Sequence, residues 1–241
     1  MSEENSPLID EPTTDELSSS DTTEPRRGVE TRKRRPANAI LIALAAILAV
    51  GGGVGLAVTL WPKGVVIRDL DRNVIVPDDP SATDPAYMEA ADMVINESGE
   101  GFVVPKVGLQ VPLGAVNVVN GTVNPPNFTA VFRIRDFGVG IEDAELGTVF
   151  LSAHSARSGR APGNMLQANE QAVLQPGDII MVDGRAYAYE RSVIRSQEDL
   201  ANVPEVWDEA IPGRLIFMTC LLRNDGAAPT DNLVLIAHLV P

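Results

Sequence analysis

The chain has 241 residues, 33 acidic against 19 basic, for a formal net charge of −14, and it contains one cysteine and two histidines. A hydrophobic content of 44% can fill a core, which excludes a fully disordered or collagen-like chain, while 5% aromatic residues and 18 prolines point to strands and turns. The acidic balance repels phosphate backbones and argues against nucleic acid as a partner. One cysteine excludes an intramolecular disulfide, and Cys220, His154 and His238 alone cannot make a Cys/His zinc site.

Residues 1–25 hold eight acids and no base, are rich in Ser, Thr and Pro, and lack apolar periodicity, the composition of a disordered tail. Six cations follow between Arg26 and Arg35, opposed only by Glu30, and the next charged residue is Lys63. The sequence therefore predicts a cytoplasmic tail with a basic stop over 1–35 and a transmembrane signal anchor over 36–62. As a helix, the apolar stretch from Ala39 to Trp61 would reach about 34 Å, enough for a hydrocarbon core of roughly 30 Å. A cleaved signal peptide has a shorter apolar region and a small-residue cleavage site, whereas this stretch ends in Trp-Pro-Lys. Basic residues ahead of the helix orient it with the N-terminus cytoplasmic, so everything after residue 62 is expected outside a bacterial plasma membrane as the exported part of a single-pass protein. Gly51, Gly52, Gly53 and Gly55 would permit close helix approach but are equally ordinary in a membrane span.

The basic stop and tail together carry −3 of the charge, leaving −11 on the exported part. Residues 63–99 read as a stalk with an N-terminal extension, with one amphipathic helix expected over Tyr87–Ile95. From residue 100 onward the apolar runs shorten to strand length: Phe102–Val107, Leu109–Leu113, Ala130–Arg135, Thr148–Ser152, Ile179–Val182, Ala186–Val193, Leu215–Thr219 and Leu233–Leu239. Pro176-Gly177-Asp178 and Asp183-Gly184 read as tight turns, the second suited to a hairpin. Helical turns are expected within Asn164–Ala168 and Glu198–Asp208. Eight strands in 100–241 predict an all-β fold, a barrel or sandwich.

Cys220 closes one strand and His154 follows another, so each is offered at the end of a rigid element. A cysteine in a core and a histidine in a loop are commonplace, but an unpaired thiol outside the cell is a liability unless it is used. Together they have the composition of a nucleophilic site, in which imidazolium beside thiolate stabilises the attacking anion and then protonates a leaving amine. His238, near the chain end, reads as structural.

Five blocks in order carry a family resemblance: Val104-Pro105-Lys106-Val107-Gly108, Phe137-Gly138-Val139-Gly140-Ile141, Leu151-Ser152-Ala153-His154-Ser155, Pro176-Gly177-Asp178-Ile179 with Tyr187-Ala188-Tyr189, and Phe217-Met218-Thr219-Cys220. They resemble the signature blocks of the sortase family over residues 100–241. An actinobacterial type such as class E or F fits the resemblance, which selects no single class. It implies an eight-stranded sortase-like β-barrel with short helices, preceded by the membrane helix, and a cysteine transpeptidase of a Gram-positive-type cell surface. Its partners would be secreted proteins with a C-terminal sorting signal like Leu-Pro-X-Thr-Gly, and an amine of a peptidoglycan precursor or a pilin. Cys220 would attack the threonine carbonyl, His154 would serve as acid, and backbone amides near Thr219 and Cys220 would help hold the oxyanion. No cofactor is required, although Glu142, Asp143 and Glu145 occupy a position where some members bind calcium.

One departure is an arginine the family places after the cysteine, where this chain has Thr230-Asp231-Asn232. Arg223 is the only arginine beyond Cys220 and the first candidate for that role; Arg133 and Arg214 are more distant ones, and Asn232 is a neutral substitute. The missing arginine motivates an alternative, a catalytically degraded barrel that binds sorting signals or envelope proteins without turnover. An unrelated thiol hydrolase is a third. Asp84-Pro85 and Tyr87 faintly resemble the lid of pilus-assembling members, but the pattern is incomplete and favours cell-wall anchoring.

Overall fold

The computed structural model describes residues 66–77, 84–96 and 99–241, which fall within one compact unit spanning residues 62–241. The expected tail (1–35) and membrane anchor (36–62) lie outside the described residues. Among the described residues no helix is long and apolar enough to cross a membrane.

Twelve strands are found among the described residues of the domain. β1 (Val94–Asn96), β2 (Phe102–Val104), β3 (Leu109–Val111), β4 (Leu113–Val116), β5 (Val131–Ile134), β6 (Thr148–Ser152), β9 (Ile179–Val182), β10 (Arg185–Ser196), β11 (Arg214–Cys220) and β12 (Asp231–Leu239) form one sheet; β7 (Gln167–Ala168) and β8 (Gln171–Ala172) form a separate ribbon. The sheet order is β1-β4-β5-β6-β11-β12-β10-β9-β2-β3. β3 and β4 sit toward opposite ends of that order, yet only Pro112 separates them. The backbone itself thus carries one end of the sheet round to the other, and the sheet is curled. With 109–116 taken as one strand bent at Pro112, eight strands succeed one another round the curl, and β1 is added beside β4.

Alternation sorts the side chains into two layers. Leu215, Phe217, Leu233, Leu235, Val149 and Leu151 pack inside the curl with Phe102, Ile180 and Tyr187. The intervening Ile216, Met218, Val234, Ile236 and Phe150 face the other way, onto Val193, Ile134, Leu200 and Val206. Both faces of the central strands are therefore buried, which explains why β6, β11 and β12 read as continuous apolar runs.

The expected ranges Thr148–Ser152 and Ile179–Val182 match β6 and β9 to the residue. Asp183 (φ 45°) and Gly184 (φ 82°) form a two-residue hairpin with both residues left-handed, the geometry that matches strand twist. The helix expected over Tyr87–Ile95 is shorter. α1 (Pro85–Ala90) starts at the Asp84 cap, whose carboxylate accepts from the Ala86 N–H, and stops before Asp92 at φ 44°; Val94–Asn96 then pairs with β4 as a strand. Three further short helices are α2 (Pro162–Met165), α3 (Gln197–Leu200) and α4 (Pro204–Trp207). Trp207 donates its indole N–H to Leu200 O (2.8 Å) and stacks on Phe150 at 5.9 Å, fixing the α3–α4 excursion to the sheet.

Residues 66–77 also lie on the domain. Asp69, 1% exposed, accepts hydrogen bonds from the N–H groups of Asp71, Asn73 and Arg160, and Leu70 N–H donates to Arg160 O. Burial pushes the Asp69 carboxyl up, but the bonds from Arg160, Asn73 and Asp71 outweigh it and hold the group below its ordinary value.

Tyr187 is fully buried, and its hydroxyl has no hydrogen-bond partner among the described residues. Burial drives its titration up to about 12. A hydroxyl that loses water and gains no partner is destabilising, so Tyr187→Phe should leave thermal stability unchanged or raise it by about 1 kcal/mol in calorimetry. A large loss would reveal a hydrogen bond made by that hydroxyl.

Candidate active site

β6 and β11 are adjacent and parallel, paired residue for residue from Thr148↔Arg214 to Ser152↔Met218. Ala153 N–H continues the ladder to Met218 O at 3.1 Å. The same register carried on brings His154 level with Cys220, on strands about 4.8 Å apart. Both residues keep the parity of Ser152 and Met218, so both belong to the face opposite the interior of the curl. The two residues singled out in sequence thus leave the same edge of the sheet side by side.

The half-buried His154 ring is gripped on two sides. It stacks on Phe128 with centroids 4.0 Å apart and planes 9° apart, and its Nε2 lies 2.5 Å from Pro125 O. A carbonyl oxygen can only accept, so the hydrogen of that bond resides on Nε2, and in the neutral ring Nδ1 is the nitrogen without a proton. Pro125 is held by its own loop: Asn124 N–H donates to the Tyr87 hydroxyl of α1 at 2.8 Å.

Behind the pair the two loops are joined. The buried hydroxyls of Ser155 and Thr219 lie 2.9 Å apart, so the neighbours of His154 and Cys220 touch directly. Gly163 N–H donates to His154 O at 2.9 Å. A β-carbon on Gly163 would lie 2.1 Å from Thr219 Oγ1 and 2.3 Å from Ser155 Oγ, so the close approach of this helical turn requires glycine. Asn164 fixes the loop after His154 by accepting from the Ala156 and Ala161 N–H groups and donating to Ala156 O and Gly159 O. Gln167 bridges both sides, donating to Ser155 Oγ, Gly163 O and Cys220 O and accepting from Leu222 N–H.

Several groups beside the expected oxyanion amides are engaged. Thr219 turns its hydroxyl inward to Ser155, the Leu221 N–H is used by Asp231 O (2.8 Å), and the Leu222 N–H by Gln167. Asn232 is the cross-strand partner of Cys220 and shares its face. Beyond Asn232 in the same row comes Arg195 of β10, an exposed residue whose guanidinium donates to its neighbour's carbonyl, Ile194 O, at 2.7 Å. Sequence reading missed Arg195, because nothing in a linear chain links it to Cys220.

Arg223 lies in the exposed loop after Cys220 and grips Asp225 with two bonds, Nε to Oδ1 at 3.1 Å and Nη2 to Oδ2 at 2.7 Å. Arg214 sits at the other end of β11, about 20 Å along the strand from Cys220, and is 3% exposed. It donates to Thr148 Oγ1 and to the carbonyls of Glu205, Val206 and Asp208, while burial lowers its titration. Arg133 pairs with Leu151 and so lies on the opposite face from Ser152. His238 lies at that far end too, paired with the exposed Glu190.

The acidic loop does not form a metal cage. Glu145 is paired with Arg185, which also donates to Glu142 O, and among the described residues no three His, Cys, Asp or Glu side chains converge as ligands.

No family model and no curated protein matches the chain. Among solved structures it is similar to sortase A of Listeria monocytogenes (TM-score 0.44, 16% identity, 60% of this chain and 89% of that one). It is also similar to sortase C-1 of Actinomyces oris (0.42, 16%, 74% and 90%) and to a pilus-related sortase C of Group B Streptococcus (0.43, 15%, 73% and 80%).

The Arg223 side chain brings the Asp225 carboxyl down to about 2, helped by the Ala227 N–H. A depressed carboxyl contributes stability above its unfolded value, about 3.9, and loses it as pH falls through about 2. NMR titration should therefore find the Asp225 midpoint near 2, and Arg223→Ala should return it toward the ordinary value. An unchanged midpoint in that variant would exclude the pair.

Proposed function

We propose that this protein is a membrane-anchored, sortase-like cysteine transpeptidase of a bacterial cell surface. Its substrate is a secreted protein bearing a C-terminal signal like Leu-Pro-X-Thr-Gly. The Cys220 sulfur attacks the threonine carbonyl carbon, the C–N bond to glycine breaks, and the leaving amine takes a proton from His154. The acyl group then rests on Cys220 as a thioester. An amine of a peptidoglycan precursor or a pilin attacks that carbonyl and gives up one proton to His154, the C–S bond breaks, and the Cys220 thiolate beside imidazolium is restored. The chemistry consumes no oxidant and requires no cofactor. Export and anchoring rest on the basic stop and the apolar stretch of the sequence.

The observation that carries this reading is the parallel register of β6 and β11, which sets Cys220 beside His154 on one face. The ordered sequence blocks around both residues support it. A developing oxyanion needs donors; the Leu221 and Leu222 amides are already engaged, and the side chains placed nearest in register are Asn232 directly across, then a cation. Arg223 already commits its Nε and Nη2 to Asp225, whereas Arg195 occupies the row of Cys220 and Asn232 and gives up only a bond to its own strand.

Those engaged amides also favour the second reading, a barrel that binds sorting signals without turnover. Incubating the full-length protein with a Leu-Pro-Ala-Thr-Gly peptide and an amine separates the two. Transpeptidation predicts a thioacyl adduct on the wild-type protein by mass spectrometry, and its loss in Cys220→Ala. Undiminished cleavage by Cys220→Ala would defeat the mechanism, and wild-type binding with no adduct would establish the second reading.

The cation is assigned by a pair of variants. Arg195→Ala should lower kcat/KM by about a hundredfold, against less than about tenfold for Arg223→Ala, whose side chain forms an exposed pair. The reverse ranking would give the role to Arg223.

A further inference from the structure

We infer that Gln167 is the positioning residue of this site, the side chain that holds the Cys220 and His154 strand ends in register. The inference rests on the Cys220–His154 reading above and extends it to a residue that does not face the substrate side.

Gln167 stands at the start of the small β7–β8 ribbon, 53 residues from Cys220, and is 9% exposed. Its Oε1 accepts from Leu222 N–H at 2.6 Å. Its Nε2 faces three acceptors, Ser155 Oγ at 2.9 Å, Cys220 O at 3.0 Å and Gly163 O at 3.1 Å. Two of these are carbonyls, which cannot donate, so the amide has one permissible orientation and glutamine one permissible identity. Glutamate would match Leu222 but set a carboxylate against two carbonyl oxygens.

The partners form two groups. Ser155 and Gly163 belong to the loop that leaves His154; Gly163 also donates its N–H to His154 O. Cys220 and Leu222 bracket the end of β11. The paired β6–β11 register runs to Ser152↔Met218, with Ala153 N–H to Met218 O just beyond it, and His154 follows β6 while Cys220 closes β11 opposite Asn232 of β12. Gln167 and the Ser155–Thr219 hydroxyl pair tie the ends of the two strands together beyond the Ser152↔Met218 pair. A buried, satisfied network of this kind rigidifies what it joins, and in reactions between positioned groups about 1 Å of misplacement costs about a hundredfold in rate.

Alkylation of Cys220 in the full-length protein by iodoacetamide tests this independently of any peptide. The rate is measured across pH for the wild type, His154→Ala, Gln167→Met and Ser155→Ala. Methionine fills the glutamine's space without its hydrogen bonds. The His154-dependent part of the wild-type rate should vanish in Gln167→Met, giving the profile of His154→Ala, and should be reduced in Ser155→Ala, which keeps three of the four Gln167 bonds. If Gln167→Met fails to fold, the Ser155→Ala profile decides. A folded Gln167→Met with the full wild-type profile, an unaltered Ser155→Ala profile, or no His154 dependence in the wild type would overturn the proposal. With Leu-Pro-Ala-Thr-Gly peptide, kcat of Gln167→Met should fall about a hundredfold with KM little changed. A wild type that shows the His154-dependent profile but never cleaves peptide would refute the transpeptidase reading and leave the positioning role intact.

Discussion

The parallel pairing of β6 with β11 is the constraint on which the rest of the site depends. Two parallel neighbours end at the same edge of a sheet, so residues that follow them are delivered together however far apart they are in sequence. The register also fixes the face. A one-residue slip of β11 would send Cys220 into the curl with Phe217 and expose Thr219 in its place, exchanging a thiol for a hydroxyl at the edge. Such a slip is opposed along the whole strand, because both faces of β11 are buried. Leu215 and Phe217 would have to trade layers with Ile216 and Met218.

Parallel neighbours cannot be joined by a hairpin, and the chain between β6 and β11 uses the long detour to furnish the site. It makes the turn of α2, the β7–β8 ribbon, the β9–β10 hairpin that completes the curl, and the α3–α4 excursion. The first part lies behind His154 and supplies Gly163, Asn164 and Gln167. The last part is fastened at both ends: Trp207 bonds back to Leu200, and Arg214 draws the carbonyls of residues 205, 206 and 208 onto itself. A buried guanidinium is costly without acceptors, and those carbonyls together with Thr148 Oγ1 supply them. Arg214 therefore fastens the start of β11, and Gln167 its end.

The fold was largely legible because alternation and turn residues are local. Thr148–Ser152 and Ile179–Val182 are apolar runs bounded by turn residues, and the Asp183-Gly184 hairpin follows from what those two residues permit. The misread elements have local causes that only the three-dimensional path exposes. Leu109–Leu113 is divided at Pro112, where the curl turns, and the Tyr87–Ile95 helix gives way at Asp92 to a strand that β4 accepts as a partner. The strand-end positions of Cys220 and His154 were legible because an apolar run leads up to each. Gln167 was not, since a polar residue in a glycine- and asparagine-containing stretch reads as solvated, and only the fold reveals it as buried. Arg195 was invisible for another reason: its relation to Cys220 passes through Asn232 on a third strand, a matter of register alone.

The segment ahead of the sheet reaches the same histidine from the opposite direction. Ile75 and Ile67 pack with Phe128, Ala156 and Ala161, and Phe128 is the ring on which His154 stacks. Asp69 binds the Arg160 N–H in the loop that leaves His154, and a β-carbon on Gly159 would lie 2.6 Å from Ile75 Cγ2 and 2.9 Å from Asp69 Oδ2. α1 adds a separate hold, since the Tyr87 hydroxyl accepts the Asn124 N–H beside Pro125, whose carbonyl sets the His154 tautomer. His154 thus has a sheet-side anchor through Ser155 and Gly163 and an N-terminal one through Phe128 and Pro125. Cys220 is held from the sheet side by β12 and Gln167, and the imidazole is the member of the pair tied to residues 66–77 and 84–90.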